Sequence, residues 1–193
     1  MKILGKGFAL KDEKTVKLRR ADNFVKMAVA AATRSCSDLD LSNGDNNISI
    51  ILATQFGPHV TTFKFLDNLL DFSPAGVSPT VFSHSVHNAA ASYIASSLGI
   101  LGQALTITSF TDPLKQALVI GRAWLELGQA DKLVICYVEE ESEPFSFSFD
   151  HCSFPSYSKN GFTTGAAAIL VKKGNDFQIP LKILNPFTFI KEL

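Results

Sequence analysis

The sequence predicts an α/β fold with a mainly parallel sheet and an antiparallel end. Three observations carry this. Short, β-branched apolar runs alternate with longer stretches at helical spacing along the 193 residues. The stretch from Gly102 to Glu139 reads as strand, sharp turn, long helix, strand. Gly174-Asn175 is a hairpin signal between the last two strand candidates, so the sheet should end in antiparallel pairing.

Taken in order, Lys2–Phe8 is a short strand candidate and Lys11–Arg20 a charged surface segment. Ala21–Ser37 has Ala-rich helical spacing, with Phe24, Met27, Ala28, Ala31 and Ala32 on one face. Asp38–Asn47 is a polar loop turning at Asn43-Gly44. Ile48–Thr54 reads as a buried strand, and Val60–Phe72 as a helix with Phe63, Leu66, Leu69 and Leu70 inward. Ser73–Pro79 is a connector. Ser83–Leu98 reads as one buried helix, apolar nearly all round.

Gly99 and Gly102 bracket the return to the strand Ala104–Ser109. Asp112 is the predicted N-cap of the next helix and Pro113 its first residue. Leu114, Ala117, Leu118, Gly121, Trp124 and Leu125 form its apolar face, and Gly128 ends it. Lys132–Val138 is a strand, and the acidic run Glu139–Glu143 should be solvated. Pro144–Tyr157 reads as a loop or edge strand, and Gly161–Lys173 as a strand that turns into Gln178–Leu184.

The length and composition are those of one globular domain, or one large half-domain, over residues 1–193, 46% hydrophobic and 19% charged. Eighteen basic residues balance eighteen acidic ones, which argues against a nucleic-acid partner. No apolar run reaches the roughly 18 residues of a membrane span, and no signal-peptide core follows Met1. Cys36, Cys136 and Cys152 lie far apart, with no metal-ligand spacing and no disulfide framework, as in a reduced cytoplasmic protein. Nothing in the sequence asks for a metal or a cofactor.

The turn at Phe110–Asp112 is the chemically pointed position. A residue there sits at a helix N-terminus, where unpaired N–H groups and the dipole favour negative charge. Such a place can lower a thiol's pKa and hold an oxyanion, yet this chain has no thiol there.

Five stretches, in order, resemble the N-terminal half of a β-ketoacyl synthase of the thiolase-like superfamily. They are LRRADNFVKMAVAAA (Leu18–Ala32), ILATQFGP (Ile51–Pro58), GVSPTVFSHSVHNAAASYIASSLGILGQ (Gly76–Gln103), GQADKLVICYVEE from Gly128, and NGFTTGAAAILVKK (Asn160–Lys173). The resemblance implies half of a thiolase-like αβαβα sandwich: a five-stranded mixed sheet with helices on both faces. It also shows what differs. Thr111 falls where the family keeps its nucleophilic cysteine, Cys136-Tyr137 replaces a Gly-Gly, and Ala166 replaces a glutamate. No segment matches the family's second half, which carries the two histidines needed for condensation.

A threonine hydroxyl cannot stand in for a thiolate without a neighbouring base. The resemblance therefore implies a non-catalytic subunit, most like a truncated chain-length factor of a bacterial type II polyketide synthase, aromatic or aryl-polyene. Such a subunit pairs with an active full-length ketosynthase, meets the acyl carrier protein only indirectly, and closes the acyl tunnel. Carried over by position, tunnel residues fall on His84, His87, Ala91 and Thr108. The first three share roughly one helix face if His84 is already helical. The family's dimer contact falls on the strand Ala104, Leu105, Thr106, Ile107, Thr108 and Ser109. Two alternatives stand beside this. One is an acyltransferase or hydrolase using Ser109 or Thr111, which would need a base and an orienting acid at the turn. The other is a degenerate structural remnant.

Overall fold

The sheet is built around two runs that are apolar on both faces. In the computed structural model, which describes residues 1–11, 18–41, 47–72, 76–142 and 164–193, every residue of β2 (Ile48–Thr54) is buried. So is β4 (Lys132–Glu139) from its second residue onward. Such runs need cover on both sides. Around them lie β1 (Lys2–Leu10), β3 (Ala104–Thr108) and β5 (Gly165–Lys172), in the order β1-β5-β4-β2-β3. β2 is parallel to both β3 and β4; β5 is antiparallel to both β4 and β1. The sheet is therefore five-stranded and mixed, as expected.

Helices cover both faces. α1 (Asn23–Ser35) and α4 (Ala89–Leu98) bury Phe24, Met27, Ala28, Ala31, Ala90 and Ile94 against one face. α5 (Pro113–Glu126) and the short α6 (Pro186–Glu192) bury Leu114, Leu118, Leu125 and Ile190 against the other. β1 meets α1 at two glycines two residues apart. A side chain on Gly5 would collide with the Ser35 carbonyl, and one on Gly7 with the Ala31 carbonyl. Their small size lets the helix lie directly on the strand. α1 starts at Asp22, whose Oδ1 accepts the Val25 N–H at 2.9 Å; its Oδ2 accepts the Thr61 hydroxyl at 2.6 Å and so ties α1 to α2 (His59–Phe72). The result is one mixed sheet with helices on both faces, the layering expected from the sequence.

Several expectations change. The segment expected as one helix from Ser83 is two: α3 (Pro79–Ser85) starts earlier at Ser78-Pro79, and α4 begins only at Ala89. Val86 between them is extended (φ −90°, ψ 141°), which breaks the ladder without any proline or glycine. The serines of α4, Ser92, Ser96 and Ser97, are exposed, so the helix has a solvent strip. α4 then stops at Gly99 in the left-handed region (φ 65°), which a side chain would disfavour.

α2 forms, but its apolar stripe does not face a core: Phe63 and Leu66 are exposed and Leu70 is 82% exposed. No hairpin strand follows β5. Both of its edges are already taken, by β1 and β4, so 178–184 cannot pair with it and runs without ladder bonds to α6. The run after β4 is not solvated throughout, because Glu139 and Glu140 are both buried. The Asn43-Gly44 turn, the Pro144–Tyr157 stretch with His151 and Cys152, and the Gly161 entry to β5 lie outside the described residues.

Candidate functional site

The turn from β3 to α5 is built by Ser109, Phe110, Thr111 and Asp112. Ser109 continues the sheet by donating its N–H to the Thr54 carbonyl at 3.2 Å. Its hydroxyl then organises the turn: it donates to the Thr111 carbonyl at 2.9 Å, and accepts the Thr111 N–H at 3.3 Å and Gln116 Nε2 at 2.9 Å. Gln116 Nε2 also reaches the Thr111 carbonyl at 2.9 Å. Asp112 stands at the expected N-cap position, but its side chain makes no capping bond and its backbone is left-handed (φ 47°, ψ 49°). It is the one non-glycine residue with positive φ among the described residues. Strain of this kind persists only where surrounding contacts hold it.

Contacts to this turn from β2 and the turn after it fall on Phe110, two residues before Asp112. Gln55, fully buried, donates Nε2 to the Phe110 carbonyl at 3.3 Å. The Phe56 ring meets the Phe110 ring edge-on, with centroids 5.7 Å apart, and the His59 ring at 5.9 Å. Glu139, from the end of β4, receives the Thr54 hydroxyl at 3.0 Å, the Gln55 N–H and, at 3.3 Å, the Phe56 N–H. Burial pushes its carboxyl up to about 8, against the pull of those donors. Sequence reasoning missed both Gln55 and Glu139.

Among the described residues the turn has no nucleophile with a base. Thr111 is exposed, and neither it nor Ser109 is bonded to a histidine or a carboxylate among the described residues. The described cysteines are elsewhere. Cys136 lies in the core on the α1 face, opposite α5, and burial pushes its thiol up to about 12. Cys36 is buried at the end of α1, its thiol also raised by burial. The hydrolase arrangement needs a base, and none of the described residues supplies one at this turn.

Of the four positions expected to line a tunnel, the first three, His84, His87 and Ala91, do not share one helix face. His84 is in α3, buried, with Nε2 2.8 Å from the Tyr93 hydroxyl of α4. His87 sits in the break between the helices, exposed; its ring fills the space a side chain on Gly57 would need and lies 6.4 Å from the His59 ring. His59 is held below its usual 6.5, by burial first and then by His87. Ala91 points into the core against α1, and Thr108 is exposed at the end of β3. The break at Val86 removes the i, i+3, i+7 register that would have aligned the first three.

β3 is an edge strand. Gln103 O accepts from Ile50 N and Ser109 N donates to Thr54 O, which fixes the alternation: 103, 105, 107 and 109 bond towards β2. Ala104, Thr106 and Thr108 therefore aim their N–H and C=O groups outward. No cluster of His, Cys, Asp and Glu able to hold a metal occurs among the described residues, and none of their helices is long and apolar enough to cross a membrane.

The family model described as Beta-ketoacyl synthase, N-terminal domain, matches residues 10–189. Among solved structures the chain is similar to the AntDE:AntF assembly, a type II PKS acyl-carrier protein in complex with its ketosynthase bound to the hexaketide. That match has a TM-score of 0.72 and 17% identity, over 89% of this chain and 61% of the other. It is also similar to the ishigamide ketosynthase/chain length factor, with a TM-score of 0.66 and 19% identity, over 84% of this chain and 46% of the other. A third is the ketosynthase ApeO in complex with its chain length factor ApeC from Xenorhabdus doucetiae, with a TM-score of 0.66 and 15% identity, over 89% of this chain and 78% of the other. The chain thus spans about half the length of the ishigamide protein. No curated protein matches it. At these identities the likeness is one of fold.

Proposed function

We propose, from the premise that the chain belongs to the β-ketoacyl synthase N-terminal domain family, that it is a non-catalytic, chain-length-factor-like subunit. It pairs with an active ketosynthase in type II polyketide biosynthesis, aromatic or aryl-polyene, and helps to shape that enzyme's acyl tunnel. The carrier protein docks on the partner. The observation that carries this reading is the β3–α5 turn. It has the strand, turn and helix in order, with Phe110 held by buried Gln55 and a left-handed Asp112 two residues on, but has Thr111 where the resemblance places the family's thiolate. A hydroxyl with no base beside it cannot take up an acyl group.

The two edges of the sheet support a partner at β3. β1 carries Lys2 and Lys6 and a register shift between Ile3 and Gly5, devices that discourage pairing. Its own chain also covers it: Asp176 Oδ2 accepts the Ile3 N–H at 3.3 Å, and Arg34 donates to the Phe8 carbonyl. β3 has no charge, no proline and no bulge. The exposed apolar side chains of α2 and α3, Phe63, Leu66, Leu70 and Phe82, offer a second contact area. His84, His87, Ala91 and Thr108 remain the residues proposed to meet the acyl tunnel. With α3 and α4 separate, they would do so from two helices and a strand end rather than from one face.

The test is co-expression with a ketosynthase of the same host, one subunit tagged. Recovery of a stable complex larger than the ketosynthase alone, with a changed product length, supports the reading. A chain that never associates, or one that acquires an acyl group by itself, refutes it.

A further inference from the structure

Glu139 is fully buried, and both of its oxygens accept hydrogen bonds. Oε1 accepts the Thr54 hydroxyl at 3.0 Å and the Gln55 N–H, Oε2 accepts the Phe56 N–H at 3.3 Å, and the Tyr137 side chain adds a further hydrogen bond to the carboxyl. The end of β4 thereby holds the turn that follows β2. That turn holds the next one, through Gln55 Nε2 on the Phe110 carbonyl and through the Phe56 ring on the Phe110 ring. Phe110 is two residues from the left-handed Asp112.

A proton on either oxygen puts a donor where a lone pair had accepted, so one of the converging groups loses its partner. The Phe56 N–H, at 3.3 Å against 3.0 Å for the Thr54 hydroxyl, makes the longer of these two bonds.

We propose that Glu139 is a positioning residue for the β3–α5 turn: ionised, it clamps Gln55 and Phe56 and through them Phe110; protonated, it loses an acceptor for the converging donors and loosens the Phe56–Phe110 contact. The proton is exchanged with water and no covalent bond changes. Because burial raises this carboxyl to about 8, the exchange falls close to neutral pH.

The titratable groups around it are few. Tyr137 hydrogen-bonds to the carboxyl from two residues earlier on β4. Glu140, the next residue, is raised to about 7 by burial and by Asp22 of the α1 cap, with Lys11 opposing. Beyond Phe56 lie His59 and His87. His59 is shifted downward, so its midpoint separates from that of Glu139.

The experiment is nuclear magnetic resonance of the full chain from about pH 5 to pH 10, following the Glu139 side-chain carboxyl and the amides of Phe56 and Phe110. The expected result is one shared midpoint for all three. In Glu139→Gln the Phe110 step disappears and the shift stays at the wild-type low-pH value. Thr54→Val removes a donor to the charged form, so the shared midpoint rises by about one pH unit. A Phe110 amide that titrates unchanged in Glu139→Gln, follows His59 instead, or shows no step at all overturns the proposal. If Glu139→Gln does not fold, Thr54→Val decides: a Phe110 midpoint that moves with Glu139 supports the relay, and one that stays in place ends it.

Discussion

His84 and Tyr93 share a hydrogen bond of 2.8 Å that spans the break between α3 and α4. The His84 side chain is almost completely buried, and the two rings lie 5.3 Å apart. Tyr93→Phe leaves a buried imidazole nitrogen unpaired while keeping the ring packing. The expected cost is about 1–2 kcal/mol in denaturant unfolding. A Tyr93→Phe chain as stable as the parent would mean that the α3–α4 junction is held by the rings alone.

The approach of α1 to β1 predicts a larger effect. Gly7→Val places side-chain atoms onto the Ala31 carbonyl, which cannot move without unravelling the helix. Overpacking of this kind costs roughly 1–3 kcal/mol or more. At Gly128 nothing lies within 4 Å of the point where a side chain's first carbon would stand, so the same change there should cost only what its positive φ demands. Parallel thermal melts of the two variants would separate collision from backbone strain.

What could be read from the amino acids, and what could not, divides along the range of the interactions. β2 and β4 are legible because a continuous apolar run reports its own burial. Gly99 and Gly128 are legible because a left-handed residue is a local demand. The break at Val86 is not, since no proline or glycine marks it. Gly174-Asn175 has the composition of a hairpin turn, but whether a strand forms after it depends on a free edge, and β1 occupies that edge through eight paired residues. Phe63, Leu66 and Leu70 make a helical stripe whose partner is not in the described chain. Glu139 and Gln55 escape a sequence reading for the same reason: a carboxylate at the start of an acidic run is buried here only because three donors from β2 and the turn after it, more than eighty residues away, converge on it.

Glu139 also sets a pH dependence of stability. Its carboxyl lies near 8 in the folded chain against an ordinary 4.5, so the folded state holds the proton more tightly than the unfolded one. Stability from this group is complete below about pH 4.5 and is lost as pH rises towards 8, by at most about 1.4 kcal/mol per pH unit. Glu140, raised to about 7, acts in the same direction. His59, lowered, acts oppositely below its usual 6.5. Urea unfolding at several pH values should show a decline from weakly acidic to weakly alkaline conditions, shallower in Glu139→Gln. A slope unchanged by that substitution would assign the effect to other groups.

Thr111 should be inert. Its hydroxyl makes no bond that holds the turn, which depends instead on Ser109 and Gln116. Thr111→Ala should change stability by less than about 0.5 kcal/mol and leave the product of any complex unaltered. Intact-mass measurement after incubation with acyl-carrier and acyl-CoA donors should find no adduct. An acyl group on Thr111 or Ser109 would restore the enzyme reading.

The edge of β3 gives the sharpest test of the proposed partner. Leu105 and Ile107 bond their backbones to β2 and pack their side chains towards α5, so a charge at either position damages the fold together with any interface. Thr106 differs. Its N–H faces outward and serves no bond within the sheet, and Leu105 before it is already extended, as a residue preceding proline prefers to be. Thr106→Pro therefore removes one donor from the free edge and leaves the ladder to β2 intact, a substitution that edge strands tolerate. The isolated chain should unfold at nearly the same denaturant concentration as the parent. Its complex with a ketosynthase, expected to bury more than roughly 2,000 Å², should be lost or weakened by at least about tenfold. Leu105→Lys should lose both the complex and solubility. If Thr106→Pro binds the ketosynthase as the parent does, while Phe63→Glu or Leu70→Glu on α2 abolishes binding, the partner sits on the α2–α3 face and the strand edge plays no part.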